Sequence, residues 1–198
     1  ATMALMVLAQ PILITLFQYG ELTPRDVAMS ALSLQALSLG LVAFMLIKVL
    51  APAYYARKDT RTPVKIGIIA MVVNMVLNLL FVFPLMHFMN AGHMGLALAT
   101  SVAAFLNAGL LLRGLLRDGV YQVHHGWGSY SLRLGLATAG MIATLVLMNY
   151  PSAQWLAWGW YRRALEMGLL CGAGIAVYLG THILLGTRLR HLRTPSAL

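Results

Sequence analysis

Acidic residues are scarce in this chain. Five Asp and Glu occur among 198 residues, against fourteen Lys and Arg. The five, Glu21, Asp26, Asp59, Asp118 and Glu166, stand apart and lie in or near loops. Paired carboxylates for acid–base catalysis are therefore missing, and so are an HExxH motif and a glycine-rich phosphate loop. These absences argue against a hydrolase or a transferase. Cysteine occurs once, at Cys171, so no disulfide can close within the chain. His124 and His125 are adjacent, and adjacent residues on a helix or strand point apart, which is poor spacing for a metal. Charged residues of both signs make up only 10%, where a soluble domain carries about a quarter.

Apolar surface is abundant instead. Hydrophobic residues make up 60% and the mean hydropathy is +0.79. The apolar runs reach about 20 residues or more, enough to cross a bilayer. This predicts an all-α, polytopic transmembrane helix bundle. Six runs are expected as helices, over residues 2–17, 27–56, 64–88, 96–116, 132–150 and 164–185. Pro11, Gly40, Pro52 and Pro84 are expected bending points. Thr23, Pro24 and Asp26 form a helix-start signal. Gly135 with Ala139, and Gly168 with Gly172, have the small-residue spacing that allows close helix contact. The chain begins inside an apolar segment, ATMALMVLAQ, which suggests the C-terminal portion of something longer.

The net charge of +9 invites a nucleic-acid reading. The cations sit between apolar runs and form no continuous basic face, so no nucleic-acid partner is expected. They are better read as a topology signal. Alternating spans place Arg57, Lys58, Arg61, Lys65, Arg113, Arg117, Arg133, Arg188, Arg190 and Arg193 on one side. Only Arg25, Arg162 and Arg163 fall on the other, so the first side is expected to be cytoplasmic. The C-terminus is then inside, and Trp155, Trp158, Trp160 and Tyr161 form an outer interfacial belt.

A few residues break the apolar pattern and become candidate sites. Ser30, Ser33, Gln35 and Ser38 make the first half of the second run polar, suited to other helices or a hydrated cavity. Lys48 lies within the same run. An ammonium there costs roughly 2.5–3.5 kcal/mol and often marks a substrate or ion path. Two readings stand: Lys48 faces inward toward an anion such as a lipid phosphate, or its stem snorkels to the headgroups. Asn74 and Asn78 share a helix face. They are either glue between helices or, with the Thr100 hydroxyl and a backbone carbonyl near Leu96, a cation site built from oxygen.

One stretch is distinctive. KVLAPAYYARKDTRTPVK, Lys48 to Lys65, passes from membrane helix into a strongly basic loop carrying Arg57, Lys58, Arg61 and Lys65. Together with FQYG at Phe17–Gly20, the turn LFQYGELTPRD and the helix MALMVLAQP, it closely resembles the MurJ (MviN) family of lipid II flippases. That family sits within the multidrug, oligosaccharidyl-lipid and polysaccharide exporters. The resemblance implies the last six helices of a fourteen-helix exporter fold. Residues 1–117 would be four helices of its second lobe and residues 118–131 a cytoplasmic loop. Residues 132–187 would be an extra helix pair with a groove for the lipid tail, and residues 188–198 a cytoplasmic tail.

The resemblance also implies an activity. Such a protein carries lipid II, a lipid-linked disaccharide-peptide, from the inner to the outer leaflet of the bacterial cytoplasmic membrane by alternating access. It is not an enzyme. The implied partners are lipid II, membrane lipids and the N-terminal helices absent from this chain. Lys48 and Gln35 become candidate substrate or cavity residues. Some members hold sodium at positions matching Asn74, Asn78 and Thr100, with an acidic residue at the Asn78 position. Asparagine removes that negative charge, which weakens the case for sodium, and no other cofactor is expected. The alternatives are a drug or polysaccharide exporter of the same fold, a membrane-embedded polyprenyl-linked sugar transferase, or a scaffold recruited through its basic loops.

Overall fold

The computed structural model describes residues 1–19, 23–89, 92–120 and 127–185. The basic tail expected at residues 188–198, together with His124 and His125, lies outside these. Seven helices form among the described residues: α1 Thr2–Phe17, α2 Pro24–Ala56, α3 Arg61–Met89, α4 Gly92–Arg117, α5 Trp127–Met148, α6 Ser152–Ala157 and α7 Trp160–Leu184. No strand occurs among the described residues. The helices α2, α3, α4, α5 and α7 are long and apolar enough to cross a membrane, while α1 is shorter. The chain is thus an all-α polytopic bundle. The one helix beyond the six expected is α6, a single short segment inside the aromatic-rich turn. The chain divides into two compact units, Ala1–Gln122 and Val123–Leu198.

In the first unit, α2 starts where its side chains can satisfy its first amides. Thr23 Oγ1 accepts from the Asp26 amide at 3.3 Å, and the Asp26 carboxylate accepts from the Thr23 amide at 3.1 Å. Pro24 follows at the first helical position, where a missing N–H costs nothing. The helix runs 33 residues, about 50 Å, well beyond a hydrocarbon core of about 30 Å. It must tilt or emerge from the bilayer.

α2 ends in a tight turn. The Asp59 amide reaches back to the Tyr54 carbonyl at 3.1 Å and the Lys58 amide to Tyr55 at 2.9 Å. Lys58 sits at φ 60 between them, the left-handed position usually given to glycine. The Asp59 carboxylate then accepts from the amides of Arg61 and Thr62 at 3.1 and 3.0 Å. That capping starts α3 three residues ahead of the expected boundary. α4 ends in the same way, with Gly119 at φ 67 and the Val120 amide bonded to the Leu115 carbonyl at 3.1 Å.

α2 packs chiefly on α4, α3 on α4, and α1 on α2. The α2–α4 seam is lined by small side chains. Ala43, Ala104 and Ala108 are buried there, flanked by Phe44 and Ile47. Gly40, expected as a bending point, is a place of close approach. A Cβ built on it would lie 2.7 Å from Ser101 Oγ and 3.1 Å from Ser101 Cα. Ser101 Oγ donates to the Ala36 carbonyl at 2.6 Å across this contact. Most of the remaining α3 surface, including Ile68, Val72, Met75 and Leu79, is apolar and exposed. That composition suits hydrocarbon or neighbouring helices.

In the second unit, α5 begins at Trp127, inside the loop expected over residues 118–131. Ala137, Met141 and Leu145 form its buried stripe. Gly174 of α7 meets Leu145, and Gly140 faces Val177 and Thr181. Gly168, Gly172, Gly135 and Ala139, the pairs singled out by spacing, face outward instead. Helical phase placed the contact stripe elsewhere. The turn between α5 and α7 is built around Trp155, which is fully buried rather than part of an interfacial belt. Its Nε1 donates to Asn149 Oδ1 at 3.2 Å. Arg163 is also buried, and its guanidinium donates to the carbonyls of Trp155 and Leu156 at 2.9 and 3.0 Å. The last carbonyls of α6 thereby find a donor. Arg162 lies over the Trp158 ring at 4.8 Å.

A Gly40→Val substitution should destabilise the protein by about 1–3 kcal/mol through overpacking against Ser101. A fall in the thermal unfolding midpoint of the detergent-solubilised protein would register it, and an unchanged midpoint would disprove the close contact.

Candidate functional site

The basic stretch that dominates the sequence is anchored from below by a buried phenol. Tyr54 is 1% exposed, and its hydroxyl donates to the Leu111 carbonyl at 2.7 Å. Leu50, Ile66, Leu111 and Leu115 surround it. Gly114 makes room for the hydroxyl, because a Cβ on residue 114 would collide with it. One turn further along, Arg57 pairs with Asp118 at 2.9 Å. These residues cap the C-terminal ends of α2 and α4, so the pair ties the two helix ends together. Both side chains are 42% exposed, so the pair contributes at most about 1 kcal/mol.

The remaining loop cations, Lys58, Arg61 and Lys65, are exposed. Asp59 cannot neutralise them freely, since its carboxylate caps α3. The Thr62 hydroxyl and amide hold that carboxyl below the usual carboxylate range, helped by the Arg61 amide and the Arg57 charge.

Lys48 is exposed on α2, while Ile47, Leu50 and Tyr54 turn toward α4. Its ammonium has no hydrogen-bond or ion-pair partner among the described residues. Gln35 is placed differently. Its side chain is half-buried, and its Nε2 donates to the Met6 carbonyl of α1 at 3.0 Å. Met6 lies in the turn before Pro11, one residue ahead of Val7, whose carbonyl Pro11 leaves without a helix donor. Gln35 therefore ties α1 to α2, and the structure does not bring it together with Lys48.

Asn74, Asn78, Thr100 and Leu96 do come together. Asn78 Nδ2 donates to Asn74 Oδ1 at 3.1 Å, and Asn74 Nδ2 approaches Thr100 Oγ1 at 3.5 Å. Thr100 Oγ1 donates to the Leu96 carbonyl at 2.8 Å. The result is a one-way chain of donors running from α3 into α4. It already engages the oxygens of Asn74, Thr100 and Leu96. Only Asn78 Oδ1 is left buried without a partner. All four oxygens are neutral, and no group of three or more His, Cys, Asp or Glu suited to a metal occurs among the described residues. As folded, this donor set fits a helix–helix clasp and does not fit a sodium cage.

A groove of about 760 Å³ opens beside the N-terminal half of α2. Arg25, Asp26, Ser30 and Ser33 line it from α2, and His93 from the start of α4. Sequence reading marked the serines as polar but had no signal joining them to His93. It also missed Asp118 as the partner of Arg57, and Arg163 as a buried cap. In each case the partner lies on another element.

With this geometry in view, the relatives are informative. A family model described as "Lipid II flippase MurJ" matches residues 1–162. The chain belongs to the lipid II flippase MurJ family. A probable lipid II flippase MurJ of Vibrio cholerae is 49% identical over 196 residues, covering 99% of this chain and 36% of the relative. A probable lipid II flippase MurJ of Haemophilus influenzae is 42% identical over 196 residues, covering 99% and 37%. The lipid II flippase MurJ of Burkholderia cenocepacia is 41% identical over 145 residues, covering 72% and 27%. The chain thus spans about a third of the length of the curated MurJ relatives it matches.

Two outcomes follow from the anchored end. Tyr54→Phe should cost about 1 kcal/mol of stability, the worth of one neutral hydrogen bond. Denaturation of the purified protein measures it, and no change would remove Tyr54 as an anchor. The Asp59 cap has a folded-state pKa below its unfolded one, so its contribution is complete above the ordinary carboxylate range. It is lost as pH falls through the depressed value. The protection factors of the Arg61 and Thr62 amides, measured against the intrinsic exchange rate at each pH, should therefore fall only in strong acid. A loss of protection already as pH falls from 6 to 5 would contradict the cap.

Proposed function

We propose that this chain is the C-terminal part of a flippase that moves lipid II from the inner to the outer leaflet of the bacterial cytoplasmic membrane. Its membership of the MurJ family, together with its bundle of apolar spans, carries the reading. The task is physical rather than covalent. A charged, sugar-bearing head must be shielded from hydrocarbon, where an isolated ion costs many kcal/mol. The apolar tail can remain in lipid throughout. Helices that move as bodies around a hydrated cavity meet that need by alternating access.

Within this reading, residues 1–117 act as four helices of the second lobe. Residues 118–131, the last five of which open α5, lie on the cytoplasmic side, residues 132–187 supply an extra pair flanking the lipid tail, and residues 188–198 are cytoplasmic. The N-terminal helices of the longer protein supply the rest of the cavity. The crowding of cations at one end of the spans supports a cytoplasmic C-terminus. Arg57, Lys58, Arg61 and Lys65 then hold the cytoplasmic end of α2 and α3 at the headgroup layer.

Lys48 is the residue best suited to meet the anionic head, being exposed and unpaired about two turns from the loop. Gln35 serves the cavity indirectly, by fixing α1 against α2. Asn74, Asn78 and Thr100 clasp α3 to α4, and no resident cofactor is assigned.

Reconstitution of the full-length protein in vesicles with labelled lipid II tests the function. Leaflet exchange is expected, and its absence in active preparations would reject the reading. Lys48→Ala should impair complementation of flippase-depleted cells at matched expression; normal growth would exclude a required Lys48. A cysteine at Lys58 should be labelled only from the cytoplasm, and periplasmic labelling would invert the topology.

A further inference from the structure

The groove beside α2 combines both signs of charge with hydroxyl groups and apolar wall. Arg25 and Asp26 stand at its rim with opposite charges, and His93 approaches from α4. Asp26 already accepts from the Thr23 amide and hydroxyl at 3.1 and 2.6 Å. Arg25, Ser30 and His93 have no hydrogen-bond partner among the described residues. Together they offer donors and acceptors that nothing in the fold uses. Met29 and Leu34 supply apolar wall between them. A smaller apolar recess of about 290 Å³, lined by Leu13, Phe17 and Val27, meets the groove at Ser30.

This combination discriminates between ligands. A phosphate would meet the Asp26 carboxylate as well as the Arg25 guanidinium, and the two oppose each other. A neutral polyhydroxyl group gains from both charges and from the free hydroxyl and imidazole, and its C–H faces suit the apolar wall. The volume lies within the range of about 300–1,000 Å³ usual for small-molecule sites.

We propose that this groove is a saccharide subsite that takes the disaccharide portion of the transported head group. Arg25, Ser30 and His93 hydrogen-bond the sugar, and Asp26 accepts from its hydroxyls. The proposal rests on the transport reading for the identity of its ligand, but the binding itself can be measured separately.

The test uses the full-length protein with Cys171→Ser, which removes the single, exposed cysteine of this chain, and with Ser30→Cys added. A charged maleimide should label position 30 in intact cells. A soluble neutral disaccharide, N,N'-diacetylchitobiose, should slow that labelling, and R25A/H93A should weaken the protection roughly tenfold, the loss of two hydrogen bonds. A short polyethylene glycol at the same mass concentration, which carries no ring hydroxyls, serves as the control for crowding and should protect less. Absence of labelling would mean the groove is covered by other parts of the protein and overturns the proposal. Labelling without protection, or protection indifferent to R25A/H93A, overturns it as well. Protection without leaflet exchange of lipid II would uphold the subsite and sink the transport reading. Exchange without protection would do the reverse.

Discussion

Close approach of α2 and α4 is the constraint on which the first unit depends. In hydrocarbon, apolar side chains gain nothing by leaving lipid for one another, so helices associate through packing and hydrogen bonds. Ala43, Ala104, Ala108 and Gly40 bring the two backbones near enough for Ser101 to reach the Ala36 carbonyl. Tyr54 repeats the device further along the same seam, with Gly114 providing the space. Two helix–helix hydrogen bonds to backbone carbonyls, each enabled by a glycine, hold the pair along its length. α4 then serves as the common support, since α3 also packs on it.

Several polar groups inside this unit pair with one another without charge. Gln35 joins α1 to α2, and the Asn78–Asn74–Thr100–Leu96 chain joins α3 to α4. Apart from Lys48, charge among the described residues of this unit lies at or near the helix ends, where water can reach it. There the turns differ in a telling way. α4 uses Gly119 at its left-handed position, where no Cβ resists the conformation. α2 uses Lys58 at the equivalent place, which costs about 1–2 kcal/mol for a residue with a Cβ. A cation stands there against local preference, in a stretch already dense in positive charge.

The second unit solves a different problem, that of closing a hairpin between α5 and α7. Buried Arg163 is tolerated because carbonyls at the end of α6 receive its guanidinium, and Trp155 fills the space beneath. The exposed aromatic rings, Trp160 and Tyr161, stack edge to face beyond this core with centroids 5.8 Å apart. The turn is therefore a small folded element rather than a loose connection.

The class and the rough placement of the spans were legible in the chain alone, although α3 and α5 begin earlier than run length suggested. Run length against bilayer thickness, proline and threonine at the start of α2, and the basic stretch after Tyr55 required no partner to interpret. The motif from Lys48 to Lys65 was enough to suggest the family. Which face of each helix makes contact was not legible, because helices that are apolar all round carry little phase information. For that reason Gly168 and Gly172 were singled out while Gly174 makes the contact. Residue 155 read as interfacial from its type, yet the fold buries it. Arg57 with Asp118 and Gln35 with Met6 are pairings between distant segments, and His93 and Arg25 line one groove from different helices. Local pattern determines what a segment can form, while long-range packing decides which polar groups meet, and only the tertiary structure holds that information.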